Sequence, residues 1–420
     1  MTDALAAWLA RLEKRTPEAR IHLGLERVRA VLDRLPSAIP NCPVITVGGT
    51  NGKGSVVALL ESMYRAGGYR TLAYTSPHLV HFTERIRINA APVDLASLID
   101  ALDLVERQRD GLDLTYFEHV TLAALVVAAR SKPDVVLLEV GLGGRLDAVN
   151  VIDPDVSVIT SIDLDHVEWL GRTRSAIARE KGGIARSGRP LIIGEPQPPR
   201  GWLADLERGG AMVRAVGRDF SWQREDNVLR LTIGEEILTL PEPALAGSWQ
   251  AGNAASAVMA VRALNPRLPV AVADMAAGLK SVVLPGRLQC LGGRPEIWAD
   301  VAHNVAAART LAGALAAVEG RTIAVFSALA GKDVSGMARV VKDHFEHWLV
   351  PELAGDRSRS ADEIAELLRE LPVAGSVETV ESVSDAVRSA LAQASPDDRI
   401  VVFGSFRIVA EAWSAIQQRE

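Results

Sequence analysis

Lys53 stands among glycines. In residues 44–63, VITVGGTNGKGSVVALLESM, it follows Gly48, Gly49 and Gly52, precedes Gly54, and has Thr50, Asn51 and Ser55 around it. Glycines at these spacings let a backbone curl closely around an anion with its amides aimed inward. A lysine there brings a point charge to β- and γ-phosphates, and the serine hydroxyl is a ligand for Mg²⁺. The usual loop of this kind has Ser or Thr directly after Lys, whereas here Gly54 intervenes. A plain glycine-rich turn would need no particular flanks. Here the β-branched run 44–47 precedes it, and Val56, Leu59, Leu60 and Met63 follow at helical spacing.

Other chemistry-bearing residues sit just past apolar runs. Glu139 ends DVVLLEV, and Asp163, Asp165, His166 and Glu168 follow VSVITSI. Ligands of open α/β sheets collect at such carboxyl ends. Lys181, in REKGG, falls in a helix expected to begin near Thr173. Asn253 lies near a helix start in SWQAGNAA, Arg287 in VLPGRLQ, and Asp300 and His303 in ADVAHNV. Taken singly, Glu139 reads equally well as a capping acid, His166 as a turn histidine and Lys181 as a solvated lysine. The joint position of Glu139 and His166 after neighbouring strands, with Ser55, favours a shared cation beside the phosphates.

The elements that must hold these residues alternate. VITVGG, TLAYTS, DVVLLEV, VSVITSI and RPLIIG are short apolar runs separated by helical patterns, as in a parallel sheet covered on both faces. FSWQREDNVLRLTIGEEILTL alternates polar and apolar over two runs, which predicts a small antiparallel hairpin turning at Asp226 and Asn227. Helical patterns resume at WQAGNAASAVMAVRAL and PVAVADMAAGLKSV before Pro285 and Gly286. Strand and helix then alternate again through IWADVAH, RTIAVFSAL, HWLVPEL, a helix from Ala361, and RIVVFGSF. The expected fold is α/β: a P-loop NTPase-like, mainly parallel sheet domain with an antiparallel appendage over residues 1–284, then a smaller Rossmann-like α/β domain over 285–420.

At 420 residues, 48% hydrophobic and 23% charged, the chain has the make-up of a globular protein of more than one domain. A net charge of −6 argues against nucleic acid as partner. Cys42 and Cys290 have no metal-ligand spacing. The start, MTDALAAWLARLEKR, reads as an amphipathic helix and not a secretory signal, and VTLAALVVAA is about half of a membrane span. The expectation is a cytoplasmic protein with no membrane partner.

The strings GGTNGKGS, YTSPHL, FTERIRIN, LTYFEHVTLAA, LEVGLGGRLDAVNV, SIDLDHVEWLG, REKGGIAR, LPGRLQ, DVAHN and VFGSF, in this order, closely resemble the folylpolyglutamate synthase/dihydrofolate synthase family of Mur-type ligases, from His22 to Phe406. The resemblance implies that Thr50, Asn51, Gly52, Lys53, Gly54 and Ser55 hold ATP phosphates, with Asn253, Arg287, Asp300 and His303 also near the nucleotide. It implies two magnesium sites served by Ser55, Ser76, Glu139 and His166, and it matches Lys181 to a lysine carbamylated by CO₂, whose new oxygens suit hard Mg²⁺. Lys53, Lys181 and His166 would be the catalytic set. Thr115, Tyr116, Phe117 and Glu118 resemble the pterin-contacting segment, with Phe117 as stacking face. Arg145, Leu146, Asp147 and Ala148 would line the same pocket, and His22, Leu23, Gly24 and Leu25 a loop near the pteroate. The family often has Asp-Gly-Ala-His-Asn-Pro and Lys-Ala-Gly where this chain has DVAHNV and KGGI.

The implied reaction activates a carboxylate with the γ-phosphoryl of ATP and lets the amine of L-glutamate attack the acyl phosphate. The substrates would be dihydropteroate, reduced folates and L-glutamate, in a cleft closed by the second domain, and the expected assembly is a monomer. Three other readings stand beside it. A monofunctional folylpolyglutamate synthase would extend folates only. A cell-wall Mur ligase predicts a separate N-terminal domain for a uridine nucleotide, for which the residues before Val44 leave little room. A P-loop switch ATPase predicts turnover without glutamate.

Overall fold

The computed structural model describes residues 3–17, 22–315, 318–355, 358–371 and 375–417. The chain divides into two compact units, Met1–Ala244 with Gln250–Val283, and Leu245–Trp249 with Leu284–Glu420. The second unit therefore begins one residue before the expected boundary and also takes in Leu245–Trp249 from within the expected first domain.

The first unit is built on strands β1 (Val44–Gly48), β2 (Thr71–Tyr74), β3 (Ile86–Ile88), β4 (Ala91–Pro92), β5 (Val135–Glu139), β6 (Val156–Ile159), β7 (Pro190–Ile193) and β8 (Met212–Ala215). Their order is β4-β3-β2-β5-β1-β6-β7-β8. Only the β2–β3 and β3–β4 pairings are antiparallel. β1 and β5 are buried at every position, as an interior parallel strand covered by helices must be. Because β2, β5, β1 and β6 are consecutive neighbours, the loops that leave their carboxyl ends lie side by side. The helix Lys53–Ala66 follows β1 and is covered by the helices Gln250–Leu264 and Val272–Ser281.

The appendage is a three-stranded meander and not a hairpin: β9 (Ser221–Glu225), β10 (Val228–Ile233) and β11 (Glu236–Pro241). Asp226 and Asn227 make the first turn at positive φ, as the sequence suggested, and Gly234, φ +60°, makes a second turn that the sequence reading passed over.

The second unit holds β12 (Gln289–Gly292), β13 (Glu296–Asp300), β14 (Thr322–Phe326), β15 (His347–Pro351), β16 (Ser376–Val380) and β17 (Arg399–Phe403), in the order β12-β13-β17-β14-β15-β16. All pairings but β12–β13 are parallel. Phe326, Phe345, Trp348 and Phe403 meet in its core. Among the described residues, no helix is long and apolar enough to cross a membrane.

Candidate active site: a phosphate loop and an acceptor wall

The turn after β1 is tied to the end of β6. Thr50 N donates to Ser161 O at 2.8 Å, Asn51 N to Ser161 Oγ at 3.0 Å, and Thr160 Oγ1 to Asn51 O at 2.6 Å. Thr50 Oγ1 both accepts from Asp163 N (3.0 Å) and donates to Asp163 O (3.2 Å). Two glycines are obligatory here. A Cβ on Gly49 would lie 1.8 Å from Thr160 Oγ1, and Gly52, φ +87°, would place one 2.6 Å from Asn253 Oδ1. Gly52 thus brings distant Asn253 onto the loop, where its amide Nδ2 donates to Gln250 Oε1 at 2.9 Å. Helix Lys53–Ala66 starts from Gly52 with no side chain capping its first turn. Its leading amides and the positive end of its dipole fit an anion, which is what nucleotide phosphates require.

Two lysines converge on that loop. Lys53 Nζ donates to Gly49 O and Thr50 O, both at 3.1 Å, and buried Lys181 Nζ donates to the same Gly49 O at 2.8 Å. Lys181 lies in the helix Arg174–Gly182, capped by Thr173 as the sequence predicts. Burial, and then the neighbouring Lys53 charge, lower its pKa to about 7, against the pull of Asp165 and Asp147.

Ser76, Glu139, Ser55 and His166 sit at the ends or beginnings of elements on this one sheet edge. Glu139 pairs with Val47 in register and accepts from Ser76 N at 3.2 Å. Ser55 is buried in the first turns of the phosphate-loop helix. His166 holds φ +50° just before the short helix Val167–Leu170. Among the described residues, no three His, Cys, Asp or Glu side chains are grouped to hold a metal. One carboxylate, one imidazole and serine hydroxyls are a sparse oxygen-rich set, which suits Mg²⁺, an ion that keeps waters and takes phosphate oxygens instead of an all-protein cage.

The residues expected to line the acceptor pocket are sorted differently. Thr115 caps the helix Tyr116–Ser131: its Oγ1 accepts from Glu118 N (3.2 Å), and Glu118 Oε2 accepts from Thr115 N (2.7 Å). Glu118 is also paired with Arg27 at 2.7 Å, and Arg27 donates to His22 O at 2.8 Å. Gly24 N reaches Leu146 O at 3.4 Å, so the early loop does lie on the Leu146 segment. Tyr116 is buried against Phe82, and Ala148 is buried too. Arg145 turns to Glu180, 2.9 Å away. Asp147 accepts from Leu142 N (2.7 Å) and Val149 N (3.1 Å), and burial raises its pKa to about 6 against these bonds and the Lys53 charge. Phe117, half-buried, stacks with Tyr74 at 6.0 Å and leaves room only for glycine at 141, where a Cβ would meet its ring at 2.6 Å. Of the residues expected to touch substrate, Phe117 is half-buried and engaged only through its ring, while Thr115, Glu118 and Arg145 have their polar groups bonded within the chain.

Arg287, Asp300 and His303 belong to the second unit and cluster at the end of β13. Asp300 accepts from Leu288 N (2.8 Å) and Ala302 N (2.7 Å), and burial raises its pKa while Arg287 opposes the shift. Arg287 lies over the Phe406 ring at 4.9 Å, and the His303 ring is 6.2 Å from it. Phe406, at the end of VFGSF, has no role that the sequence alone announces. Thr160 and Ser161 are further site residues, and the signal for them in the sequence is the position of two hydroxyls just past β6.

Two family models match the chain: the Mur ligase middle domain over residues 47–196, and the Mur ligase glutamate ligase domain over residues 286–406. The phosphate loop and the two α/β units are thus those of a Mur-type ligase. The dihydrofolate synthase/folylpolyglutamate synthase of Escherichia coli strain K12 is 39% identical over 419 residues, covering 99% of this chain and 96% of that protein. The structure of E. coli FolC in complex with DHPP and ADP superposes with a TM-score of 0.93 at 39% identity, over 100% of both chains. A bifunctional folylpolyglutamate synthase/dihydrofolate synthase with Mn, AMPPNP and L-glutamate bound gives 0.91 at 38% identity, over 99% of this chain and 98% of that one. This chain belongs to the dihydrofolate synthase/folylpolyglutamate synthase family.

Proposed function

We propose that the chain is an ATP-dependent ligase that joins L-glutamate both to 7,8-dihydropteroate and to the γ-carboxyl of tetrahydrofolates. One observation carries the reading: the phosphate loop and the Phe117–Asp147 wall leave paired neighbouring strands at the same sheet edge, since Val47 at the end of β1 is in register with Glu139 at the end of β5, and Asp147 accepts from Leu142 N just beyond it. A carboxylate brought along that wall would meet the γ-phosphoryl at Lys53. The relatives support this, one holding DHPP with ADP and another AMPPNP with L-glutamate.

The chemistry needs no protein nucleophile. A carboxylate oxygen attacks the γ-phosphorus, the bond to the β-phosphate oxygen breaks, and ADP leaves. The amine of L-glutamate then adds to the acyl phosphate, loses a proton, and expels phosphate as the amide forms. Lys53 and the amides of the helix start hold the phosphoryl oxygens in line, so catalysis rests on positioning and fixed charge. Bound at Ser55, Ser76, Glu139 and His166, in two sites, Mg²⁺ would neutralise phosphoryl charge. Lys181 would enter as a carbamate. Two ammonium groups sharing Gly49 O repel each other, whereas a carbamate keeps an N–H for Gly49 O and sets a negative group beside Lys53.

The test is product mass with each acceptor, given ATP, Mg²⁺ and L-glutamate. Both dihydropteroate and a reduced folate monoglutamate gain one glutamyl unit if the reading holds. Extension of the folate alone makes the enzyme monofunctional.

A further inference from the structure

The segments TSPHL (residues 75–79) and FTERIRIN (residues 82–89) fold against each other, and the second grips the first at several points. The Glu84 carboxylate accepts from the amides of Leu79 (2.8 Å), Val80 (3.0 Å) and His81 (2.6 Å). Thr75 N donates to Arg85 O at 2.8 Å, and Arg85 Nε donates to His78 Nδ1 at 2.9 Å. Arg87 Nη1 donates to Thr75 Oγ1 at 3.1 Å and to Glu84 O at 3.3 Å. Its other edge is held by Glu61, whose Oε2 accepts from Arg87 Nε (3.0 Å) and Nη2 (2.9 Å) while Oε1 accepts from Ala90 N (3.0 Å).

Glu61 belongs to the helix Lys53–Ala66, about 12 Å along its axis from Lys53 at 1.5 Å per residue. Its side chain is 3% exposed and that of Arg87 15%, so this is an interior pair and not a solvated one. A continuous set of bonds therefore runs from the phosphate-loop helix through Glu61 and Arg87 to Thr75. The next residue is Ser76, whose amide meets Glu139.

We propose that Glu84 and the Arg87–Glu61 pair are positioning residues that lock loop 75–81 to the phosphate-loop helix and so fix Ser76 beside Glu139 for the divalent cation. None of them touches reacting atoms. The guanidinium fork makes the choice of arginine specific, because it bonds a carboxylate on one edge and Thr75 on the other, which a lysine cannot do at once. The inference rests on Ser76 and Glu139 serving the cation, as proposed above. Groups that orient a metal's ligands typically change its affinity by roughly 10- to 100-fold when altered.

The experiment is Mn²⁺ binding to the full chain in the presence of ADP, read as free Mn²⁺ by electron paramagnetic resonance. The proteins are wild type, Glu84→Gln, Arg87→Lys and Ser76→Ala, with Asp94→Ala as a structural control that removes only the cap of the neighbouring helix Leu95–Gln108. The expected result is Mn²⁺ binding weakened roughly 10- to 100-fold in Glu84→Gln and Arg87→Lys, with metal-free ADP binding unchanged and Asp94→Ala like wild type. Amide exchange at residues 79–81 should also accelerate in Glu84→Gln. If Ser76→Ala weakens Mn²⁺ binding and the two clamp variants do not, the clamp is overturned and the cation reading stands. If Ser76→Ala itself binds Mn²⁺ like wild type, the cation reading falls, and the clamp with it. Should Arg87→Lys fail to fold, Glu84→Gln decides alone, since its carboxylate is partly exposed and serves only the loop amides.

Discussion

Two sides of the same sheet edge carry quite different kinds of polar residue. On the phosphate side, the helix Lys53–Ala66 begins without a side-chain cap, and Lys53 and Lys181 reach only backbone carbonyls of their own site. On the acceptor side, Thr115, Glu118, Arg145 and Asp147 all have their polar groups bound to the chain's own amides or charges. The first side keeps donors for a ligand. The second bonds them within the chain, and half-buried Phe117 stacks on Tyr74 beside them. A motif residue can therefore be bound up in the chain's own hydrogen bonds.

The sharpest break between the sides is expected at Lys53. Lys53→Ala should lower ADP formation by roughly 10²- to 10³-fold, the effect of removing one fixed donor to developing charge, with the circular dichroism spectrum retained. A rate like that of wild type would put the phosphates elsewhere. Next comes the face of the wall. Phe117→Ala should weaken acceptor binding roughly 5- to 150-fold, the range of lost stacking, with a larger effect on dihydropteroate than on a folate monoglutamate. An equal loss on both would show that the pterin lies in one place for both reactions.

Smaller effects should appear in stability and spare the chemistry. His119, on the same helix as Phe117, is buried with Arg15 at 3.0 Å. Burial, and then the Arg15 charge, lower its pKa from 6.5 to about 4. Between those values the unfolded chain binds a proton that the folded chain refuses, so stability falls as pH is lowered through the window, by roughly 3 kcal/mol in all. Denaturant titrations at pH 7 and pH 4 measure this, and His119→Asn should flatten the dependence. Glu118→Gln keeps an acceptor for Thr115 N but leaves the Arg27 guanidinium without its carboxylate, and should cost about 1–3 kcal/mol at an unchanged rate per folded molecule. A loss of rate without a loss of stability would move Glu118 from scaffold to contact.

The same contrast decides what could be read in advance. β1, β2, β5, β6 and β7 are buried parallel strands whose continuous apolar runs identify them. β3 is three residues long within the charged string ERIRIN, and β12 is interrupted by a bulge, so neither leaves a periodic signal. The phosphate loop was legible because its chemistry is local: glycines, lysine and helix lie within a few residues. The pairing of Glu61 with Arg87 spans 26 positions, that of Arg27 with Glu118 spans 91, and no local spacing announces either. Phe406 escaped notice for the same reason, since only the fold brings it to Arg287 and His303.

Phosphoryl transfer at Lys53 is proposed to serve amide formation and nothing else. It is tested most directly by following ADP and product together in one vessel with ATP, Mg²⁺ and dihydropteroate, before and after L-glutamate is added. No sustained ADP release is expected before the addition, and afterwards one ADP for each dihydrofolate formed. Steady ADP release without L-glutamate, or ADP without the glutamylated product, would contradict it.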